Sequence, residues 1–573
     1  MKHLIPYFKK YKFLSILAPA FKMLEACFDL IVPLIVADII DTGIVNGDKN
    51  YIVNRFLLLL LMALLGLLSS FTAQFFAAKA AIGTATGLRH DLIKKIQSLS
   101  FGELDKIGKS TLITRLTSDI NLVQNGLNIF LRLFMRSPFI VFGAMVLAFT
   151  VNRDLALVFV GLIVVLFAVV FGIMAITKPL HKVVQQNLDA LTETTKENLS
   201  GVRVIRAFSR QKRQKEKFDS DNDTLLSSQI KVGRFSALLN PLTYVIVNVA
   251  VILVLWLGAG KTDEGVMFSG DIVALINYIG QILIELVKLA TLITLIARSI
   301  ASMGRVGQVL DTESSMTYGE INEGSSGEEI ISFENVSFTY KGAGAPSLSD
   351  ISFKVKKGET VGIIGGTGSG KSTLVGLISR FYDATEGEVL LKGESIKSWS
   401  KDALNKLISL VPQKPLLFSG TVRSNLLWGN AEANDEELWF ALESAQAKEF
   451  VEKKEGGLDS RIEQSGLNLS GGQKQRLTVA RALAAKSEIL ILDDSSSALD
   501  FATDAALRKA VKNLPWEVTT FIVSQRTSSI AHADKILVLD DGCLVGQGTH
   551  EELLEKCEIY KEIYLSQFRR EAE

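Results

Sequence analysis

The chain has 573 residues, with 62 Lys plus Arg against 61 Asp plus Glu and a formal net charge of +1 at pH 7. That length exceeds what one hydrophobic core supports, so two or more domains are expected, and the balanced charge gives no pull toward nucleic acid. Three cysteines, Cys27, Cys543 and Cys557, without a CxxC pair, and five scattered histidines make neither a disulfide framework nor a zinc site, and fit free thiols in a reducing compartment.

A mean hydropathy of +0.28 on an ordinary hydrophobic content of 48% implies that one region is far more apolar than the rest. A bilayer core about 30 Å thick needs roughly 20 apolar helical residues per crossing. Six such runs precede residue 300, at 13–37, 55–82, 127–151, 155–178, 236–260 and 271–297. The basic start, MKHLIPYFKKYK, reads as a cytoplasmic elbow helix, because the apolar run behind it is too long and too acidic for a cleavable signal. Segments 83–126 and 179–235 are rich in Lys and Arg, which puts them and both termini on the cytoplasmic side, whereas VNRD at 151–154 is a minimal turn. Amphipathic spacing predicts that the two basic segments are helical extensions reaching roughly 30 Å below the membrane, as mechanical couplers.

Ionisable groups inside spans are costly unless they pair or face water, so Glu25 with Asp29 and Glu285 with Lys288 stand out. Their i, i+4 and i, i+3 spacings put each pair on one helical face. Polar anchoring is one reading of them, and contact with cargo or protons is the other. Asn248, Trp256, Asn277, Tyr278 and Gln281 are candidates to line a pocket for amphipathic molecules.

Residues 1–310 therefore read as a membrane domain. Residues 311–328 are acidic and Ser/Gly-rich, a linker composition, and 329–573 alternate strand-like and helical segments as an α/β domain does. In that domain TVGIIGGTGSGKSTLVGLI reads as a buried strand, a glycine-rich turn and a helix, with 365–372 matching the phosphate-loop pattern GxxxxGK[ST]. Backbone amides of Gly365, Gly366, Thr367, Gly368, Ser369, Gly370 and Lys371 would curl around nucleotide phosphates, followed by Thr373 at the helix start. Lys371 would balance the phosphate charge and the Ser372 hydroxyl would ligate Mg2+. The apolar strand EILILDD supplies Asp493 to hold the same ion through water.

With LSGGQKQR at 469–476, the whole chain resembles the ATP-binding-cassette exporters. The resemblance implies a six-helix transmembrane domain followed by an α/β nucleotide-binding domain, with ATP and Mg2+ as cofactors. It implies that Ser470, Gly471, Gly472 and Gln473 close over the ATP of a partner chain, since bare amides at a helix start suit an anion. It also implies that Tyr340 stacks on adenine, that Gln413 senses Mg2+ and water, and that Asp500 of SALD at 497–500 lies at the dimer seam. Partners are then a second half-transporter, the lipid bilayer and a small amphipathic substrate, in a bacterial cytoplasmic membrane.

Two positions of the hydrolytic machinery depart from the family pattern. Asp494 stands where the pattern has glutamate; it is one methylene shorter, and a carboxylate withdrawn by about 1.5 Å is poorly placed to polarise water. Gln525 stands where the switch histidine is expected, and glutamine cannot be protonated. Gln464 also replaces a frequent glutamate before the signature. These departures beside an intact LSGGQ imply a heterodimer, in which this chain's own site binds ATP and turns it over poorly. The partner would carry the intact glutamate and histidine. A homodimeric multidrug or lipid exporter and an ATP-gated channel are the alternatives.

Overall fold

The computed structural model describes residues 2–325, 327–495 and 498–568. Two compact units divide the chain: one comprises 1–97 and 109–312, the other 98–108 and 313–573. In the first, long helices follow one another: α1 (Lys12–Asp38), α2 (Lys49–Ser98), α4 (Lys109–Val151), α5 (Arg153–Ser200), α6 (Gln211–Asp263) and α7 (Ser269–Asp311). A short helix, α3 (Phe101–Ile107), belongs to the second unit.

The helices of the first unit invert the pattern of a water-soluble bundle. On α2, Phe56, Leu57, Leu60, Leu61, Leu64 and Leu68 are about half exposed, while Ala73, Ala77, Ala80, Ala81 and Ala85 are buried. Large apolar groups outside and small ones inside are what a helix needs when its solvent is hydrocarbon and its contacts rest on close backbone approach. Gly143 on α4 obeys the same rule, since a Cβ there would lie 2.5 Å from Leu30 of α1.

Among the described residues, five helices, α2 and α4 to α7, are long and apolar enough to cross a membrane. The predicted run 13–37 forms α1, whose 27 residues also have the length, but Lys22, Glu25 and Asp29 interrupt its apolar stretch. The VNRD turn is minimal as predicted: α4 ends at Val151, and the Asn152 side chain caps α5 by accepting from the amides of Asp154 and Leu155. The predicted basic extensions are helical, with α2 running without interruption to Ser98 and α5 to Ser200. Two π-helical turns, Arg115–Asp119 and Phe130–Phe134, interrupt α4.

Among the described residues the second unit holds two larger sheets and a two-stranded ribbon that pairs Gly420–Thr421 with Arg461–Ile462. One is antiparallel, in the order β2-β1-β4-β5, from β1 (Glu329–Phe338), β2 (Leu348–Lys356), β4 (Glu386–Leu391) and β5 (Glu394–Ser395). The other runs β10-β9-β3-β8-β7-β6 and comprises β3 (Thr360–Gly365), β6 (Ile408–Val411), β7 (Ile489–Asp493), β8 (Thr519–Val523), β9 (Lys535–Asp540) and β10 (Cys543–Gly548). It is parallel except for edge strand β10. A parallel sheet is covered on both faces, so its strands are apolar at every position. On β7, Ile489 and Ile491 enter one core and Leu490 and Leu492 the other, as the two-residue period requires. Three helices matter below: α8 (Lys371–Ile378), α9 (Gly471–Ala484) and α10 (Phe501–Lys512).

The second unit also gathers residues distant in sequence. The Tyr382 hydroxyl donates to Asp105 of the 98–108 segment at 2.7 Å, and the rings of Phe101 and Phe381 lie 4.3 Å apart. Part of the predicted linker packs on the α/β unit as well: Arg380 donates to the Thr317 carbonyl at 2.5 Å, and Gly319 and Ile321 donate to the carbonyls of Trp399 and Ser398.

In the first unit, Asp119 is 3% exposed and accepts from both Arg115 and Arg305. Removing its charge strands two guanidiniums around a buried site, a change that costs about 3 kcal/mol or more. Asp119→Asn is therefore expected to lower the thermal midpoint of the purified protein by several degrees. Asp154→Asn, which breaks an ion pair whose acid is 72% exposed, should leave the midpoint within a degree.

Candidate nucleotide site and membrane charge cluster

The phosphate loop lies between the carboxyl end of β3 and the start of α8, the crevice where parallel sheets bind ligands. Its glycines are needed for shape. Gly368 and Gly370 have φ of +86° and +96°, and a Cβ at Gly365 would stand 2.1 Å from the Leu539 carbonyl oxygen. Gly366, Thr367 and Gly368 are exposed, whereas Ser369 is buried. Lys371 Nζ curls into the loop, donating to the carbonyls of Gly365 at 2.8 Å and Gly366 at 2.6 Å. A cavity of about 320 Å³ is lined by Gly368, Gly370, Lys371, Ser372, Thr373 and Asp541. Tyr340 stands next to this loop: its hydroxyl is 3.2 Å from Thr373 Oγ1, and its ring meets Phe338 and Tyr382 edge-on.

Two carboxylates face the lysine. Asp493 ends β7 opposite Val523 of β8, and the Asp494 amide donates to the Val523 carbonyl at 3.0 Å. Asp494 adopts φ of +44°, and Gln413 Nε2 donates to its Oδ2 at 3.2 Å. Burial, and then the neighbouring Asp494 charge, push the Asp493 carboxyl above its ordinary range, with Lys371 opposing. Burial likewise pushes the Lys371 ammonium down, while Asp494 and Asp493 hold it up. One cation thus serves two acids.

That imbalance fits a divalent cation. Among the described residues no cluster of three His, Cys, Asp or Glu side chains could hold a metal alone. The donors implied at the loop are the Ser372 hydroxyl, the Gln413 amide oxygen and the Asp493 carboxylate, hard oxygen ligands that suit Mg2+ when phosphate oxygens complete the set.

The signature segment is built differently. Ser470 caps α9: its Oγ accepts from the Gln473 amide at 3.3 Å, and its own amide donates to Gln473 Oε1 at 3.0 Å. This capping box locks both side chains. Gly471 and Gly472 are left at the positive end of a 14-residue helix, and a Cβ on Gly471 would meet nothing within 4 Å. None of Ser470, Gly471, Gly472 and Gln473 lines the cavity at the phosphate loop. Asp500 caps α10 by accepting from the amide and hydroxyl of Thr503, both at 2.9 Å; Ser497 of the same segment lies outside the described residues. Gln525 is exposed, and its carbonyl accepts from Gln567, which also accepts from the Thr527 amide. Gln567 carried no motif and was not legible in the sequence.

In the first unit the four predicted intramembrane charges converge on a residue that the reading by pairs missed. Arg136 of α4 donates to Asp29 at 2.6 Å and to Glu285 at 2.7 Å, and lies 4.0 Å from Glu25. Lys288 reaches Glu285 at 3.1 Å, Ser137 donates to Glu285 at 2.7 Å, and Lys22 holds Glu25. Three cations meet three anions across α1, α4 and α7. The available signal was an arginine, in RSPF, inside an apolar run that also holds Arg132. Asp29, Arg136, Gln281, Glu285 and Lys288 line a cavity of about 300 Å³. Of the other pocket candidates, Tyr278 is fully buried and donates to the Leu30 carbonyl, Trp256 is 76% exposed, and Asn248 and Asn277 donate to carbonyls of their own helices.

The raised Asp493 carboxyl has a consequence for stability. An acid whose pKa is higher folded than unfolded costs stability as pH rises through that window. At neutral pH without divalent cations, Asp493→Asn should therefore raise the thermal midpoint slightly. The same variant should lose the further rise that ATP with Mg2+ gives the parent; an unchanged ATP and Mg2+ response would refute the assignment.

Comparison with known proteins agrees with this architecture. A family model described as the ABC transporter transmembrane region matches residues 15–286, and one described as ABC transporter matches 348–497. The chain is 35% identical over 572 residues to an uncharacterized ABC transporter ATP-binding protein, YfiB, of Bacillus subtilis (strain 168), covering 100% of this chain and 99% of the relative. It is 29% identical over 574 residues to an ATP-dependent lipid A-core flippase of Vibrio vulnificus (strain CMCP6), covering 99% of this chain and 97% of the relative. Among solved structures, a bacterial Atm1-family ABC exporter with ATP bound shares the fold, with a TM-score of 0.80 at 23% identity over 98% of this chain and 99% of that one. This chain joins a phosphate loop on a parallel sheet to a bundle of lipid-adapted helices, both family models match it, and it belongs to the ABC transporters, as a multi-pass membrane protein with an ATPase domain.

Proposed function

We propose that this chain is one half of an ATP-driven exporter that moves amphipathic or hydrophobic compounds, lipids included, out of the cytoplasm or the inner leaflet. The observation that carries the reading is the pairing, in one polypeptide, of the Lys371 and Asp493 cradle with helices whose large apolar groups face outward. In this reading α1 is the first of six crossings, because its charges are matched by Arg136 and Lys22 rather than left to lipid. Both termini are cytoplasmic, in a bacterial cell membrane. The name of the Vibrio relative, a flippase for a lipid, supports an amphipathic cargo.

The two nucleotide sites of the assembled transporter are unequal in this proposal. This chain's cradle, formed by 365–373 with Tyr340, Gln413 and Asp493, binds ATP with Mg2+. Asp494 occupies the position of the water-polarising glutamate, but its shorter carboxylate accepts from Gln413 at 3.2 Å, which holds it toward the amide instead of toward an attacking water. Gln525 supplies no protonatable group. The start of α9, with Ser470, Gly471, Gly472 and Gln473, does not line the cavity of its own cradle and in this reading completes the site of a second half-transporter, with Asp500 at the seam. ATP closes the pair, and its hydrolysis on the partner's phosphate loop releases it.

The test is asymmetric. In the assembled pair, Asp494→Ala should change turnover by less than about threefold, whereas Ser470→Ala should lower it by about 10²-fold, the scale of losing a donor to a developing anionic charge. Equal effects, or vigorous ATPase activity from this chain purified alone, would show a symmetric homodimer.

A further inference from the structure

A second cavity of the ATPase unit lies away from the phosphate loop. It measures about 860 Å³ and lies between the last turns of α10 and the segment 514–534. Its floor is the reverse side of the catalytic strands: Leu492, one residue before Asp493, and Ile522, three before Gln525. Its walls are Val511, Leu514, Pro515 and Trp516. Volume and mixed lining fall in the range of sites that enclose a small organic molecule.

The unsatisfied groups around this cavity are donors. Lys509 and Lys512 lie three residues apart on one face of α10, and among the described residues neither makes a hydrogen bond or ion pair; His532 makes none either. The indole N–H of Trp516 is buried and donates to none of the described residues, so it is open to an acceptor from water or a guest. Two acids line the cavity as well, Glu517 and Asp534, of which Asp534 is turned to the Thr360 amide, accepting from it at 2.8 Å, while Arg508 is held by Asp504. Lys509 and Lys512, neighbours on one helical face and paired with neither Glu517 nor Asp534, favour with the indole N–H an acceptor-rich anionic head on the guest, and the apolar floor with Trp516 favours an aromatic body.

We propose that this cavity is a regulatory site for an aryl carboxylate, whose carboxylate is held by Lys509 and Lys512 and whose rings lie against Trp516, Leu492 and Ile522. The guest would touch elements that run directly to the nucleotide machinery: α10 begins at its cap Asp500, β7 ends at Asp493, and Ser528 and Ser529 follow Gln525. The inference rests on 493–525 being that machinery only for its regulatory half; binding itself does not depend on it. Coupling of this kind is reciprocal, so nucleotide must change the affinity for the guest by the factor by which the guest changes the affinity for nucleotide.

The test uses the full chain in lipid nanodiscs and the photoreactive aryl carboxylate 4-benzoylbenzoate, with its methyl ester as the uncharged control. Saturable labelling is expected within 505–518 or 528–534 by peptide mass mapping. The ester should label those peptides with about tenfold weaker half-saturation, as should Lys509→Glu with Lys512→Glu, a loss of about one factor of ten in binding constant. Equal labelling by acid and ester would show a merely greasy cavity and overturn the proposal. So would parent-like labelling of the double variant, which would leave the lysines to offset the carbonyl end of α10. Should the double variant fail to fold, Trp516→Leu and the ester comparison decide alone. A half-saturation unmoved by a non-hydrolysable ATP analogue would remove the regulatory role and leave the site, a result separable from failure of the exporter reading, which rests on transport.

Discussion

One ammonium group set against two carboxylates governs the ATPase unit. Lys371 is held in the loop by two backbone carbonyls, and Asp493 and Asp494 stand near enough to oppose its deprotonation while Asp493 is itself pushed up by burial and by its neighbour. Such a site favours ligands that restore balance on both sides, a polyanion for the lysine and a divalent cation for the acids, and magnesium nucleotide brings both at once. The rest of the unit serves this placement. The parallel strands bring the carboxyl ends of β3 and β7 to one edge, with β8 between them, and the split of Ile489 and Ile491 from Leu490 and Leu492 fixes β7 between two cores so that Asp493 emerges at its end.

The membrane unit solves a related problem with opposite materials. Hydrocarbon offers no hydrogen bonds, so each charge must find its counterion in protein. Around Arg136 the three acids Glu25, Asp29 and Glu285 are matched by three bases across three helices. The cluster is strongest at Glu285, which is 5% exposed and accepts from Arg136, Ser137 and Lys288, and loosest at Asp29 and Lys288, which are about half exposed beside the cavity. An arrangement fixed at one end and open at the other is suited to exchanging partners when helices move, whereas a fully buried set is held in place by its desolvation cost.

What could be read in the sequence was whatever depends on local pattern. The phosphate loop, the two-faced strand EILILDD and the VNRD turn carry their geometry in consecutive residues, and Gly370, Ile491 and Asn152 behave as their neighbours dictate. The run 13–37 was visible as a helix, yet the meaning of its charges was not. Reading Glu285 with Lys288 by i, i+3 spacing found a real contact, but the closer partner, Arg136, lies 149 residues away. Gln567 was invisible for the same reason: it holds the segment after Gln525 from beyond α10 and β10. Side-chain networks between distant elements leave no periodic trace, so charges and amides were found as candidates and their partners were not.

The shape of Asp494 argues that the substitution at this position is more than a shortened side chain. With φ of +44° the residue sits in a left-handed conformation that a β-carbon makes costly and that Asp tolerates better than most. Its amide is engaged by Val523 and its carboxylate by Gln413. A glutamate on this backbone would carry its carboxylate one methylene farther than the group that Gln413 now holds at 3.2 Å. The amide that now holds Asp494 would be released to its implied role beside the metal. The aspartate and the glutamine therefore form one unit. In the proposed reading that unit makes a water-polarising group and a metal-sensing group restrain each other, so that ATP would be gripped without both becoming free to act on it.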